Sequence, residues 1–273
     1  MEHIYYCFPG GRHKALTFSY DDGKTPDRRL VDILNRAGLK GTFNLNGDKF
    51  GRDQRIAQSE VAALYAGHEV AAHSLTHPTL TRCPREMMVR QIVDDRRRLE
   101  DIVGYAVRGF AYPNGQHTPT LHRLLPELGI AYARTTISTC GLLLPDELMT
   151  WHPTCHHRED LISRAASFLE RSKSQYLDLL SVWGHSIDFD NEGNWHIIEE
   201  LAAMTRGNQD VWFATNIEIV DYLAAVERLQ YTAACDRVHN PSAAPVWIRI
   251  DSRASSTPQR IVEVPGGATL TLA

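Results

Sequence analysis

Residues 16–23, Leu16-Thr17-Phe18-Ser19-Tyr20-Asp21-Asp22-Gly23, carry an apolar strand pattern straight into two adjacent carboxylates and a glycine. The C-terminal end of a parallel strand is where β/α folds place catalytic groups. Neighbouring carboxylates repel, so one must pair with a cation or hold its proton more tightly. A bound metal would take one as ligand and leave the other free as a base. The same Asp-Asp-Gly also fits an ordinary turn, so its meaning depends on the chain around it.

Outward from this stretch, short apolar runs alternate with amphipathic segments. Strands are expected over 14–19, 39–45, 69–72, 105–112, 130–134, 178–183 and 211–214, each brief, β-branched or aromatic, and bounded by turn residues. Thr25-Pro26 opens a helix with Leu30, Ile33, Leu34 and Ala37 on one face and Gly38 at its end. Residues 84–103 repeat the pattern with Met88, Ile92, Leu99 and Ile102, closed by Gly104, and Thr118-Pro119 opens a third helix ended by Gly129. Further helices are expected over 160–174, 194–206 and 218–229. The alternation predicts an α/β fold whose parallel sheet closes as a barrel or partial barrel. The rhythm stops near Leu229. Residues 240–245 resemble a linker, and strands over 246–251, 260–264 and 268–272 surround a Pro265-Gly266-Gly267 turn. A barrel domain is therefore expected over 1–228 and a small β-rich appendage over 229–273.

Three more polar clusters fall at expected strand ends. His73-Ser74-Leu75-Thr76-His77-Pro78 puts two imidazoles four residues apart, able to reach one ion if the segment makes a single turn. Ser74 and Thr76 are placed to hydrogen-bond such ligands, although a chain with 13 histidines also holds ordinary surface pairs. Arg108-Gly109-Phe110-Ala111-Tyr112-Pro113-Asn114-Gly115 ends in a turn whose backbone N–H groups suit a developing oxyanion. Leu179-Leu180-Ser181-Val182-Trp183-Gly184-His185-Ser186 ends in a histidine, with Trp183 able to wall a pocket or pack in the core. Each is weak alone. Four at strand ends on one side of a parallel sheet form one strong signal.

Composition narrows the function classes. The chain has 273 residues, 43% hydrophobic and 23% charged, and a formal charge of −4. Its densest basic run, Arg96-Arg97-Arg98, lies between Asp94-Asp95 and Glu100-Asp101 and reads as a salt-bridged helix face, so no nucleic-acid partner is expected. Nothing approaches the roughly 18 uninterrupted apolar residues of a membrane span. The start Met1-Glu2-His3-Ile4-Tyr5-Tyr6 lacks the pattern of an export signal. The five cysteines, Cys7, Cys83, Cys140, Cys155 and Cys235, include no C-x-x-C and suit reduced thiols and a cytoplasmic location. Oligomeric state is not legible.

The residues Thr17-Phe18-Ser19-Tyr20-Asp21-Asp22-Gly23, His73-Ser74-Leu75-Thr76-His77-Pro78, Tyr112-Pro113-Asn114-Gly115 and Gly184-His185-Ser186 together resemble the ordered motifs of the polysaccharide deacetylases. This is the NodB-homology group, or carbohydrate esterase family four, and the resemblance spans roughly residues 14–225. It implies a distorted (β/α)7 partial barrel and one divalent metal ion, zinc first, with Co2+, Ni2+ or Mn2+ as substitutes. It also implies a hydrolase that removes N- or O-linked acetyl groups from a mono- or oligosaccharide. By that resemblance Asp21 is the catalytic base, Asp22, His73 and His77 are the metal ligands, and His185 is the general acid. Tyr112, Asn114, Arg108, Trp183 and Trp151 are the expected substrate and oxyanion residues.

Two departures stand out. The family's third motif carries an arginine before its Pro/Gly turn, where this chain has Ala111, and has a tyrosine where Asn114 stands. Its fourth motif has an aspartate before a tryptophan, where Trp151 follows Thr150. The family pairs that arginine with that aspartate, so their joint absence reads as the loss of one unit, and Arg108 is the nearest replacement. Cys155-His156-His157, with His152 upstream, reads as a loop at the active-site mouth, a second metal site or plain surface. The competing functions are an amidohydrolase on a small amide or cyclic imide and a non-catalytic carbohydrate binder. Retention of Asp21, Asp22, His73, His77 and His185 together argues against the binder.

Overall fold

In the computed structural model, which describes residues 3–251 and 259–272, strand β1 (His3–Cys7) precedes β2 (Lys14–Asp21), whose side chains are all buried. The period of two divides β2 by chemistry. Leu16, Phe18 and Tyr20 join the apolar core. Thr17, Ser19 and Asp21 point the other way into the barrel, where they hydrogen-bond Asn216, Asn44 and Arg134. Burial on both faces explains why this strand reads as a near-continuous run in the sequence.

The following elements are α1 (Asp27–Ala37), β3 (Thr42–Leu45), α2 (Gln58–Leu64), β4 (Glu69–Ala72), α3 (Arg85–Val103), β5 (Gly109–Ala111), α4 (Pro119–Glu127) and β6 (Tyr132–Arg134). Next come β7 (Cys155–His156), α5 (Leu161–Glu170), β8 (Asp178–Gly184), α6 (Ser186–Glu192), α7 (His196–Thr205), β9 (Val211–Phe213) and α8 (Asn216–Glu227). The parallel sheet runs β6-β5-β4-β3-β2-β8-β7, with β9 also paired to β2. One edge of β2 is shared: β9 takes Lys14–Leu16, and β3 takes Ser19–Asp21. The sheet curls into the partial barrel expected from the sequence. Residues 151–156 link its edges, since Trp151 N–H donates to Ala133 O at 3.0 Å and Thr154 N–H to Ser181 O at 2.8 Å.

Helix punctuation follows the sequence. Gly38 and Gly104 close α1 and α3 in the left-handed conformation, at φ 72° and 75°. Thr118 caps α4 through its side chain, with Pro119 in the first turn. Leu30, Ile33 and Leu34 of α1, with Ile92 and Leu99 of α3, pack against the outer side of the sheet.

The last strands are β10 (Gln230–Tyr231), β11 (Arg237–His239), β12 (Val246–Asp251), β13 (Arg260–Val264) and β14 (Thr269–Thr271). They form two small antiparallel sheets, β1-β12-β13 and β10-β11-β14. The N-terminal strand therefore belongs to the appendage sheet, pairing His3 with Asp251 through to Cys7 with Trp247. The short elements β1, β7, β10, β11, α2 and α6 have no counterpart in the sequence reading, because two to seven residues are too few for periodicity to register. The expected strands over 39–45 and 105–112 shrink to β3 and β5. Their first residues form the turns that bring the chain back from α1 and α3. Among the described residues no helix is long and apolar enough to cross a membrane. Met1 and Glu2 of the expected leaderless start lie outside the described residues, as do residues 252–258 and 273 of the appendage.

Candidate active site

The two carboxylates at the end of β2 have different surroundings. Asp21 is 2% exposed, and its Oδ1 accepts from Asn44 Nδ2 at 2.8 Å and from Arg134 Nη2. Asp22 has left the strand at φ 81° and is half-buried, with Oδ1 3.0 Å from Arg55 Nη2. Burial by itself would push both carboxyls up. The charges of Arg134, His73 and His185 instead hold Asp21 at about 2. His73, Arg55 and His77 keep Asp22 below the usual carboxylate range. Both are anions at neutral pH.

His73 and His77 come from the turn after β4. Ser74 and His77 adopt φ 62° and 60°, and these left-handed positions fold the segment back so that the two rings lie 4.7 Å apart, centroid to centroid. His73 Nδ1 lies 2.8 Å from the carbonyl of Ala111. A carbonyl only accepts, so Nδ1 carries the proton and Nε2 keeps its lone pair for the cleft. Asp95 of α3 braces the turn, accepting the backbone N–H of Gly47 at 2.7 Å and of His73 at 3.0 Å. Burial pushes His73 down to about 4 and lowers His77, which leaves both imidazoles neutral. The donor atoms of Asp22, His73 and His77 all lie within 4.8 Å of one another. One carboxylate and two neutral imidazoles, one with its tautomer fixed from behind, are the donors that a divalent cation of the zinc type takes. The residues fit such an ion.

Arg134, at the end of β6, is the residue the sequence reading missed. It is fully buried, reaches across the barrel to Asp21, and stacks its guanidinium 4.9 Å over the Trp183 ring. Its Nε and Nη1 are satisfied by Ser19 Oγ and Thr135 O, each at 3.3 Å. The arginine that Ala111 seemed to have lost is therefore supplied one strand later. The signal was available, since Arg134 is a charged residue at the end of an expected strand, as Asp21 is. Arg108 does not replace it. Arg108 pairs with Asp221 of α8 at 2.9 Å, with both side chains substantially exposed and away from the cleft.

His185 follows β8 and faces the carboxylates from the other side of the cleft. Its Nδ1 lies 3.4 Å from Asp188 Oδ2. Burial disfavours the imidazolium, but the Asp188 hydrogen bond and the charges of Asp21, Asp188 and Asp22 outweigh it and raise the His185 pKa.

A cleft of about 570 Å³ brings together Asp21, Asp22, His73, His77, Tyr112, Asn114, Trp183 and His185, with Gly115 and Thr136. Trp151 is outside it: it is 1% exposed and packs 5.5 Å from the Tyr132 ring, while its backbone links the sheet edges. Trp195 is likewise a packing residue, 4.9 Å from Phe189. The 155–157 cluster is not plain surface, because Cys155, His156 and His157 are all buried. His152 stands apart from it, 2.5 Å from Thr135 Oγ1.

Residues 9–133 match the family model described as polysaccharide deacetylase. Over 124 residues the chain is 27% identical to chitin deacetylase 1 of Cryptococcus neoformans var. grubii. That stretch is 45% of this chain but only 26% of the relative, so the chain spans about a quarter of the length of that curated protein. Among solved structures, it superposes on a family 4 acetyl xylan esterase from Clostridium thermocellum in complex with a cobalt ion. The TM-score is 0.53 and the identity 18%, over 76% of this chain and 91% of that one. It superposes equally on the Puue allantoinase, with TM-score 0.60 and identity 12%, over 78% of this chain and 91% of that one. These likenesses show a shared fold that serves more than one chemistry.

Proposed function

From the premise that this chain belongs to the polysaccharide deacetylase family, we propose that it is a metal-dependent hydrolase removing N- or O-linked acetyl groups from a short saccharide. One observation carries the reading: the Asp22, His73 and His77 donors converge beside a separate anionic carboxylate, with His73 Nε2 3.9 Å from Asp21 Oδ2. A cleft of about 570 Å³ is of small-molecule size, which favours a mono- or oligosaccharide.

A divalent cation, zinc by preference, would be held by Asp22, His73 and His77 and would polarise the acetyl carbonyl as a Lewis acid. Asp21, ionised and fixed by Asn44 and Arg134, accepts a proton from the attacking water. His185 enters the reaction protonated and gives its Nε2 proton to the leaving nitrogen or oxygen as the bond to the acetyl carbon breaks. Acetate and the free amine or hydroxyl are the products. Trp183 and Tyr112 wall the cleft on its apolar side.

The test is a substrate panel on zinc-loaded protein: N-acetylated and O-acetylated saccharides of rising length beside small amides and cyclic ureides, read as acetate or amine release. Acetate from a saccharide supports the proposal. Turnover of the small amides alone would move the chain to the amidohydrolase reading, which the allantoinase-like fold also permits.

A further inference from the structure

Behind His185 lies a cluster of charged and polar groups that the proposed reaction does not use directly. Asp188, in the first turn of α6, puts its Oδ2 3.4 Å from His185 Nδ1, 3.6 Å from His156 Nε2 and 3.9 Å from His157 Nε2. Its Oδ1 lies 3.0 Å from Arg158 Nη2, and Arg158 Nε in turn lies 2.6 Å from Glu192. Residues 156–158 are held close under the strand that carries His185. A Cβ on Gly184 would sit 2.1 Å from His157 Nδ1, so only glycine admits this approach.

His156, His157 and Asp188 present donor atoms within 4.8 Å of one another, a spacing that a second metal ion could close. The hydrogen bonds oppose that assignment. His156 Nδ1 accepts the backbone N–H of Arg158 at 3.2 Å, so the neutral ring carries its proton on Nε2 and has no lone pair there for a cation. The Arg158 guanidinium already supplies positive charge beside the carboxylate.

We infer that Asp188, gripped by Arg158 and His156, is the positioning residue of His185: it retains the Nδ1–H of that imidazole and so aims Nε2 into the cleft. The inference rests on the reading of His185 as proton donor and goes past it, by giving the conspicuous histidines after β7 a role. When Nε2 releases its proton, Nδ1–H stays on Asp188. The ring therefore remains in the tautomer that accepts the next proton at the same atom. The groups facing His185 are Asp188 of α6, His156, His157 and Arg158 of β7 and its following loop, Trp183 of β8, and Asp21 and Asp22 at the end of β2. Asp188 is the anion in direct contact. Burial would push its own carboxyl up, but the bonds from His156 and His185 and the charge of Arg158 hold it well below the usual range.

The experiment is a long-range proton–nitrogen NMR titration of His185 in the full, zinc-loaded chain. The expected result is a neutral form protonated on Nδ1. In Asp188→Asn, the His185 pKa should fall by about 1 or more. The alkaline limb of the kcat profile should move to lower pH with it, while KM and the zinc content of one ion per chain stay unchanged. A neutral form protonated on Nε2 overturns the inference in the wild-type protein alone, whether or not the variant folds. An unmoved pKa in Asp188→Asn, or a second zinc ion lost in that variant, overturns it as well. If the tautomer and pKa behave as expected but no acetylated saccharide is turned over, the functional reading fails while the pairing stands.

Discussion

The guanidinium of Arg134 holds the Asp21 carboxylate from the opposite side of the barrel, β6 to β2, and neither side chain reaches solvent. Charge, orientation and burial of the base are thus fixed by one contact between strands that are not neighbours in the sheet.

Arg134→Met leaves Asp21 buried without its counter-charge. It should destabilise the fold by about 3–5 kcal/mol, the usual cost of removing one partner of a buried pair. Arg108→Met breaks an exposed pair with Asp221 and should cost at most about 1 kcal/mol. Urea midpoints of the two variants check this. Equal midpoints would put the structural arginine back at position 108.

Asp21→Asn should keep the metal and lose turnover by about 10²–10⁴-fold, the range for a general base. Zinc content and acetate release measured on one preparation separate the two effects. Full turnover would remove Asp21 from the role.

His77→Ala and Asp22→Asn should each abolish stoichiometric zinc binding, since either leaves only two protein donors of the three that converge. Chelator treatment of the wild type should likewise abolish acetate release, and added zinc or cobalt should restore it. A His77→Ala protein that retained both metal and activity would show that the donor assignment is wrong.

Glu69 gives a pH prediction remote from the chemistry. Burial pushes its carboxyl up to about 7, despite bonds from Ile217 N–H, Thr42 and Tyr132. The folded chain therefore holds a proton that the unfolded chain, titrating near its ordinary value of 4.5, has released. The resulting stability is fully present below about 4.5 and is lost as pH rises through about 7. Glu69→Gln should flatten the decline across that window by up to about 3 kcal/mol. Asp27, also pushed up to about 7, and Asp95, to about 8, should leave a residual slope. Urea midpoints between pH 4 and 8 decide the matter, and an unchanged slope would clear Glu69 of the effect.

What could be read in the sequence follows from where the information lies. Asp21, Asp22, His73, His77 and His185 each stand directly after an apolar run, so a strand-end rule finds them one at a time. Arg134 and Asp188 are defined by what they touch. Arg134 ends a three-residue strand, and its meaning comes from a partner far away in the chain. Asp188 sits in a seven-residue helix too short to register as a period. The fold was legible for the same reason as the first group, because long amphipathic helices and buried parallel strands carry their own periodicity. The short antiparallel strands carry none, and the partnership of β1 with β12 could not be seen from either segment alone.

That partnership has a temporal consequence. The strand made first, His3–Cys7, finds its hydrogen-bonding edge only in residues 247–251. During synthesis, which runs from the N-terminus, it must wait unpaired while the barrel strands form, and it closes only after nearly the whole chain has emerged. The contact is among the most non-local the fold contains, so locking it down is a late and slow event. Until then the exposed strand edge is open to pairing with other chains.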